Sequence, residues 1–356
     1  MKVVSVVGAR PQFIKAAPVS RALRRRNDEV LVHTGQHYDP NLSAAFFDEL
    51  EIPEPDHNLG VGSGAHGAQT GTMLARIEEV LLEERPDRVL VYGDTNSTLA
   101  GSLAAAKLGM HLTHVEAGLR SHRRTMPEEV NRVVTDHLSD LLLCPTGQAA
   151  ENLSREGITR GVHVVGDVMA DALDSALARL EARPGVLGRF ALDRDDYYLA
   201  TVHRAGNTDN RERLGGILAA LQRLDRKVVF PMHPRTRAAI ERFELAMPAP
   251  PVVVAEPLGY LDTVALESHA RVILTDSGGI QKEACWLGIP CVTLREETEW
   301  TETVAHGWNV LAGADPDRIV SAVRSARRPA GEKRLFGDGR AAERCVALME
   351  EPVDAD

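Results

Sequence analysis

From end to end this chain alternates short aliphatic runs with segments whose apolar positions recur every three or four residues, and that alternation leaves few folds open. A strand buried on both faces reads as a continuous Val/Leu/Ile run, and the helix that crosses over to the next parallel strand carries one apolar face. Repetition of the pair predicts parallel sheets covered by helices on both sides, an α/β fold. Strand-like runs fall at 2–7, 29–33, 88–92, 111–115, 141–144 and 162–165, and again at 197–202, 227–231, 252–255, 271–275, 290–294 and 309–311. Two successive doubly wound sets fit a length of 356 residues, which exceeds one ordinary core at about 100–200 residues per domain.

The break between the sets is placed near Gly166, ahead of a long helix predicted over 168–183, giving domains of 1–166 and 167–338. The stretch 184–196 is rich in Pro, Gly and charge. For the last helical stretch, 339–350 in a tail running to 356, two placements stay open: it completes the second domain or packs back on the first.

A formal charge of −10 argues against nucleic acid or an anionic membrane as partner, because both recruit a basic face. No 18-residue apolar run and no basic leader followed by a cleavage site stand at the start, so a cytoplasmic protein is expected. Cys144, Cys285, Cys291 and Cys345 have no CxxC spacing and read as small buried residues; no metal site is expected from them or from the histidines.

Ligands of open α/β sheets bind at the carboxyl ends of strands, so the turns there are the candidates for chemistry. Ser277, Gly278 and Gly279 sit between a strand and a helix, where unpaired amides and the helix dipole suit a phosphate. Glu283 lies about one turn further on and could accept from ribose hydroxyls; an ordinary tight turn with a solvated Glu is the alternative. Arg10 and Lys15 follow the first strand in Gly8-Ala9-Arg10-Pro11. That turn is not a GxGxxG fingerprint, which disfavours a nicotinamide cofactor. Asp94 and Glu116 end two strands, and Glu128 opens the helix containing Arg132. Carboxylates that converge raise one another's pKa and can divide into acid and base. Equally, Glu128 and Arg132 could form a helix-surface pair and Asp94 could cap the next helix. His203 and His233 end adjacent strands, where a histidine can meet a phosphate or exchange a proton.

Together these segments resemble the non-hydrolysing UDP-N-acetylglucosamine 2-epimerase family, whose fold is the two-domain GT-B type with Rossmann-like halves facing each other across a cleft. The motifs run in order from Gly8-Ala9-Arg10-Pro11 through Thr34-Gly35-Gln36-His37, Gly93-Asp94-Thr95, His114-Val115-Glu116-Ala117-Gly118-Leu119-Arg120 and Pro127-Glu128-Glu129 to Leu274-Thr275-Asp276-Ser277-Gly278-Gly279-Ile280-Gln281. The resemblance implies an isomerase of UDP-N-acetylglucosamine that needs no redox cofactor and works as a homodimer. It places Ser277, Gly278 and Gly279 on the diphosphate and Glu283 on the ribose. Arg10, Lys15, Asp94, Glu116, Glu128, Arg132 and His203 fall on positions lining the reaction centre, with Asp94 as base, Glu116 and Glu128 as its acid/base partners, and His203 with Arg10 on the diphosphate. His233 joins the nucleotide-binding set.

Two departures bear on the substrate. Gln12 stands where the family often has Glu, and Trp300 where it often has an Arg facing the diphosphate. Variants of this sort occur among relatives acting on acidic diacetamido sugars. Some bacterial members hold a second, activating nucleotide sugar at the turn 36–39 and loop 62–66. This chain keeps Gln36 and His37 but differs downstream, and that regulation is not expected. A GT-B glycosyltransferase using the same nucleotide site is the rival reading, although a transferase has no general need for three converging carboxylates.

Overall fold

The computed structural model describes residues 1–36, 47, 49–180 and 185–352. It forms two compact units, one of Met1–Asp174 with Phe336–Asp356 and the other of Ser175–Leu335. The helix Val168–Leu180 runs through the division between them.

The first unit is built on seven strands: β1 (Lys2–Val7), β2 (Asp28–His33), β3 (His57–Asn58), β4 (Arg88–Tyr92), β5 (Leu112–Val115), β6 (Leu141–Cys144) and β7 (Val162–Val164). They pair in the order β3-β2-β1-β4-β5-β6-β7, every pair parallel. The second unit holds β8 (Tyr197–Thr201), β9 (Lys227–Pro231), β10 (Val252–Ala255), β11 (Val272–Thr275), β12 (Cys291–Thr293) and β13 (Asn309–Leu311) in the order β10-β9-β8-β11-β12-β13, again all parallel. Both are doubly wound, as the alternating pattern requires. In both, strand order reverses beside the first strand, between β1 and β4 and between β8 and β11, which is where such sheets open a crevice. Only β3 lacks a counterpart in the sequence reading, since two residues carry no period to detect.

Alternation along each strand supplies both faces of the core. Val4, Val6, Val89 and Val91 meet Met73, Ile77, Leu81, Ala100 and Ala104 from the helices His66–Glu84 and Asn96–Lys107. Gly101 lets the second of these approach closely; a Cβ there would lie 3.1 Å from Val91 Cγ1. In the second unit Val228 and Phe230 face Leu214, Ile217 and Ile319, whereas Val229 faces the opposite layer with Leu266 and Ala284. Each of these valines, leucines, isoleucines, the methionine and the phenylalanine contributes about 1.5–3 kcal/mol by leaving water.

The last helix, Ala341–Glu350, belongs to the first unit and packs on the helix Arg10–Leu23. Asp171 accepts from its first amides, Ala341 N at 3.1 Å and Ala342 N at 2.9 Å. The four cysteines are free and buried. Among the described residues no helix is long and apolar enough to cross a membrane, and no cluster of His, Cys, Asp and Glu could hold a metal.

Candidate active site

In the first unit the candidate residues gather at the carboxyl ends of β1, β4 and β5. Lys15, buried in the Arg10–Leu23 helix, sets its Nζ 2.5 Å from Glu116 Oε1, with both side chains less than a tenth exposed. Glu116 leaves β5 with φ +71°, a left-handed backbone that a non-glycine residue adopts at a cost of order 1–3 kcal/mol. Gly93, also left-handed at φ +63°, opens the turn after β4; a Cβ there would meet Lys15 Nζ at 2.9 Å and Glu116 Oε1 at 3.6 Å. Asp94 is the next residue, and its carboxylate is ion-paired with Arg132. Lys15, Asp94, Glu116 and Arg132 thus share one neighbourhood at the topological switch point. Arg10 stands exposed at the head of its helix.

Two local alternatives drawn from the sequence are corrected. The cap of the Asn96–Lys107 helix is Thr95, whose side chain accepts from Thr98 N, and not Asp94. Arg132 does not make a surface pair with Glu128: its Nη1 lies 2.9 Å from Glu129 Oε2, and its Nη2 takes Asp94. Glu128 is half-buried at the second position of the Pro127–Leu138 helix, about one turn from Arg132. Glu129 points inward and accepts from Ser121 N at 2.9 Å, Ser121 Oγ at 2.8 Å and His122 N at 2.8 Å. Burial pushes its carboxyl up, but the bonds from Ser121, the charge of Arg132 and the amide of His122 outweigh this and hold it below the usual range.

Gln12 sits 1% exposed between the turns after β1 and β4. Its carbonyl accepts from Gly8 N (2.9 Å) and Ala9 N (3.1 Å), and its amide donates to Tyr92 O (3.0 Å) and Thr98 Oγ1 (3.1 Å). Gln36 accepts from both Ser97 N (3.0 Å) and Ser97 Oγ (2.7 Å). The rest of its turn, His37 to Asp39, lies outside the described residues.

In the second unit the glycine turn after β11 opens the Gly278–Leu287 helix, with Ser277 Oγ as its cap on Ile280 N. The first helical amides have no intrahelical partner and point out of the helix. Glu283 is buried in the same helix and accepts from Tyr260 Oη at 3.0 Å. His203, after β8, and His233, after β9, lie with ring centres 5.6 Å apart. His233 Nδ1 accepts from Arg235 N at 3.1 Å, capping the Pro234–Arg242 helix. Trp300 is buried, with Lys282 Nζ 3.8 Å from its ring centre, and a Cβ on Gly278 would meet its Nε1 at 3.1 Å.

Sequence reasoning passed over Asp276 as a separate participant. It is fully buried and accepts from His203 N at 3.1 Å, Arg204 N at 3.0 Å and Asn207 Nδ2 at 3.0 Å, so it shapes the turn that presents His203. Its place between Thr275 and Ser277 was the available signal.

A family model described as UDP-N-acetylglucosamine 2-epimerase matches residues 21–350. A UDP-N-acetylglucosamine 2-epimerase homolog of Methanococcus maripaludis is 52% identical, over 98% of this chain and 99% of its own. A UDP-2,3-diacetamido-2,3-dideoxy-D-glucuronate 2-epimerase of Pseudomonas aeruginosa is 48% identical over the same shares. The crystal structure of the Methanocaldococcus jannaschii UDP-GlcNAc 2-epimerase, in complex with UDP-GlcNAc and UDP, superposes with a TM-score of 0.91 at 45% identity, covering 98% of this chain and 99% of that one. With matches that span nearly the whole sequence and a fold of the expected GT-B class, this chain belongs to the UDP-N-acetylglucosamine 2-epimerase family, a family of isomerases.

Proposed function

We propose that this protein inverts C2 of UDP-N-acetylglucosamine to give UDP-N-acetylmannosamine, without hydrolysis and without a redox cofactor. A base takes the C2 proton while the C1–O bond breaks and its electron pair leaves with UDP, forming a 2-acetamidoglucal. UDP then adds back at C1 as a proton is delivered to the opposite face of C2. The observation that carries this reading is the cluster in the first unit, where strained Glu116 meets Lys15 beside the Asp94–Arg132 pair.

The chemistry asks for that mixture. A sugar C2–H is a poor acid, so a positioned carboxylate is needed, and cations stabilise the negative charge that develops as UDP departs. Asp94 serves as base, and Glu116 and Glu128 share the remaining proton transfers. Arg10, Lys15, Arg132, His203 and His233 supply positive or hydrogen-bonding groups. Ser277, Gly278 and Gly279 hold the diphosphate and Glu283 the ribose. The test is proton NMR of UDP-N-acetylglucosamine with the protein in heavy water: the C2 proton signal decays and a manno isomer grows in. Persistence of the C2 proton with intact protein removes the proposal, and sugar transfer only after addition of an acceptor would indicate a glycosyltransferase.

A second substrate is favoured by the two built-in departures. Gln12 is locked by four hydrogen bonds and Trp300 is packed under Lys282, and the 48% identical Pseudomonas relative is named for an acidic diacetamido sugar. Comparing kcat/KM for both nucleotide sugars in the same assay decides between them.

A further inference from the structure

Beneath the candidate carboxylates lies a charged chain that the proposed reaction does not itself use. His114, in β5, is completely buried. Its Nε2 is 2.8 Å from Gly93 O and its Nδ1 is 2.7 Å from Asp136 Oδ1. A carbonyl oxygen can only accept, so Nε2 carries a hydrogen. Asp136, on the Pro127–Leu138 helix and also fully buried, accepts in addition from Arg120 Nη1 at 2.6 Å and Gly118 N at 3.1 Å. Burial pushes this carboxyl up, but its bond to His114 and the charges of His114 and Arg120 outweigh burial and hold it below the usual range. An ionised carboxylate also only accepts, so Nδ1 carries a hydrogen as well. Arg120 continues the chain with a two-pronged pair to Glu156, at 2.7 Å and 2.6 Å. Cys144, on the neighbouring strand, has its thiol pushed up to about 12 by burial and adds no charge.

We propose that His114, donating from both ring nitrogens, is a positioning residue that fixes the Asp94 turn and the Glu116 turn on one rigid support. One nitrogen holds the carbonyl of Gly93, the residue before Asp94. The other, through Asp136, holds Gly118 N and Arg120, which stabilise the left-handed backbone at Glu116 (φ +71°) and Gly118 (φ +79°). The spacing of the two carboxylates thus depends on a ring that touches neither substrate nor UDP, and acid–base transfer tolerates only about 0.5 Å of misplacement. This inference deepens the epimerase reading and rests on it for its kinetic consequence.

The test combines kinetics with a direct view of the ring. In His114→Phe, kcat for C2 hydrogen exchange should fall about 10- to 100-fold, with KM for the nucleotide sugar changed by less than about threefold, the signature of a lost transition-state alignment. His114→Gln, which keeps one N–H donor, should recover part of that loss. Unchanged kcat per folded molecule in His114→Phe overturns the proposal. On the wild-type protein, nitrogen-15 NMR should show a hydrogen on each ring nitrogen of the residue in contact with the Gly93 backbone; a single one overturns it. That spectrum needs no turnover and no variant. If the wild type exchanges no C2 hydrogen, the epimerase reading fails while the ring still answers for its own bonding. If exchange is normal and the ring carries one hydrogen, only the positioning role fails.

Discussion

Replacing Gln12 by glutamate tests the hydrogen-bond directions at the switch point of the first unit. The Gln12 carbonyl side is suited to either residue, since Gly8 N and Ala9 N both donate to it. The amide side is not: its NH₂ group faces Tyr92 O at 3.0 Å and Thr98 Oγ1 at 3.1 Å. Thr98 cannot rescue a carboxylate there, because its one hydroxyl hydrogen already goes to Tyr92 O at 2.7 Å. The ionised side chain of Gln12→Glu therefore loses two hydrogen bonds, about 1 kcal/mol each, and sets a buried carboxylate oxygen against a carbonyl oxygen. The expected total is about 2–4 kcal/mol, or roughly 4–16 °C in the melting of a unit of this size. The new carboxyl can escape by holding a proton and donating it to Tyr92 O, so its pKa is raised in the folded state. A raised carboxyl pKa makes stability fall as pH climbs through the window between the unfolded and folded values. The gap between wild type and Gln12→Glu should thus be small near pH 4 and widen toward pH 7. Thermal melts at several pH values read this out, and a gap constant with pH would refute the assigned directions.

Three further outcomes follow from the same structure. Asp171 has its carboxyl raised to about 6 by burial, against the amides of Ala341 and Ala342 that lower it; its contribution to wild-type stability therefore declines as pH rises from about 4 to about 6, and the melting curve of Asp171→Asn should lack that decline. Gly118→Ala puts a Cβ 2.3 Å from Ala149 O at φ +79°, so a loss above about 3 kcal/mol is expected, visible as poor soluble yield or early thermal unfolding; wild-type melting would contradict the turn geometry. Glu129 and Asp136 are both held below the usual carboxyl range, so the stability they contribute is present above about pH 4 and is lost as pH falls through their folded values; a first unit still fully folded near pH 2 would argue against those pairings.

The architecture was legible because it is written in period: aliphatic runs separated by amphipathic helices give both sheets, and twelve of the thirteen strands among the described residues fall where the runs do. The candidate site was legible as segments, and less so as side chains. Adjacent glutamates at 128 and 129 look alike in one dimension, yet only the helix phase decides which faces Ser121 and Arg132. Likewise a capping preference does not distinguish Asp94 from Thr95 before the backbone angles are known. Long-range pairs such as Lys15 with Glu116, 101 residues apart, leave no local pattern at all.

The acids that sequence reasoning passed over have a common physical character. Glu129 takes the amides of Ser121 and His122, Asp136 that of Gly118, and Asp276 those of His203 and Arg204. Each is buried, and each accepts backbone N–H groups from the loop that carries a candidate functional residue or borders one. Loops at strand ends expose amides that no sheet or helix satisfies, and a buried amide without a partner costs about 1–3 kcal/mol. An inward carboxylate satisfies several at once and, being ionised, does so with bonds about twice as strong as neutral ones. The cost is a buried negative charge, which is why cations stand beside two of them, Arg132 at Glu129 and Arg120 at Asp136. Asp276 is answered chiefly by amides, with His203 Nδ1 at 3.5 Å. Removing this carboxylate should be informative: Asp276→Leu, close in size but unable to accept, leaves the His203 and Arg204 amides unpaired. On the proposed reading it should weaken UDP binding to the second unit by about tenfold or more, at about 1.4 kcal/mol per factor of ten. Calorimetric titration with UDP measures it, and wild-type affinity in a folded Asp276→Leu protein would show that the turn does not depend on this carboxylate.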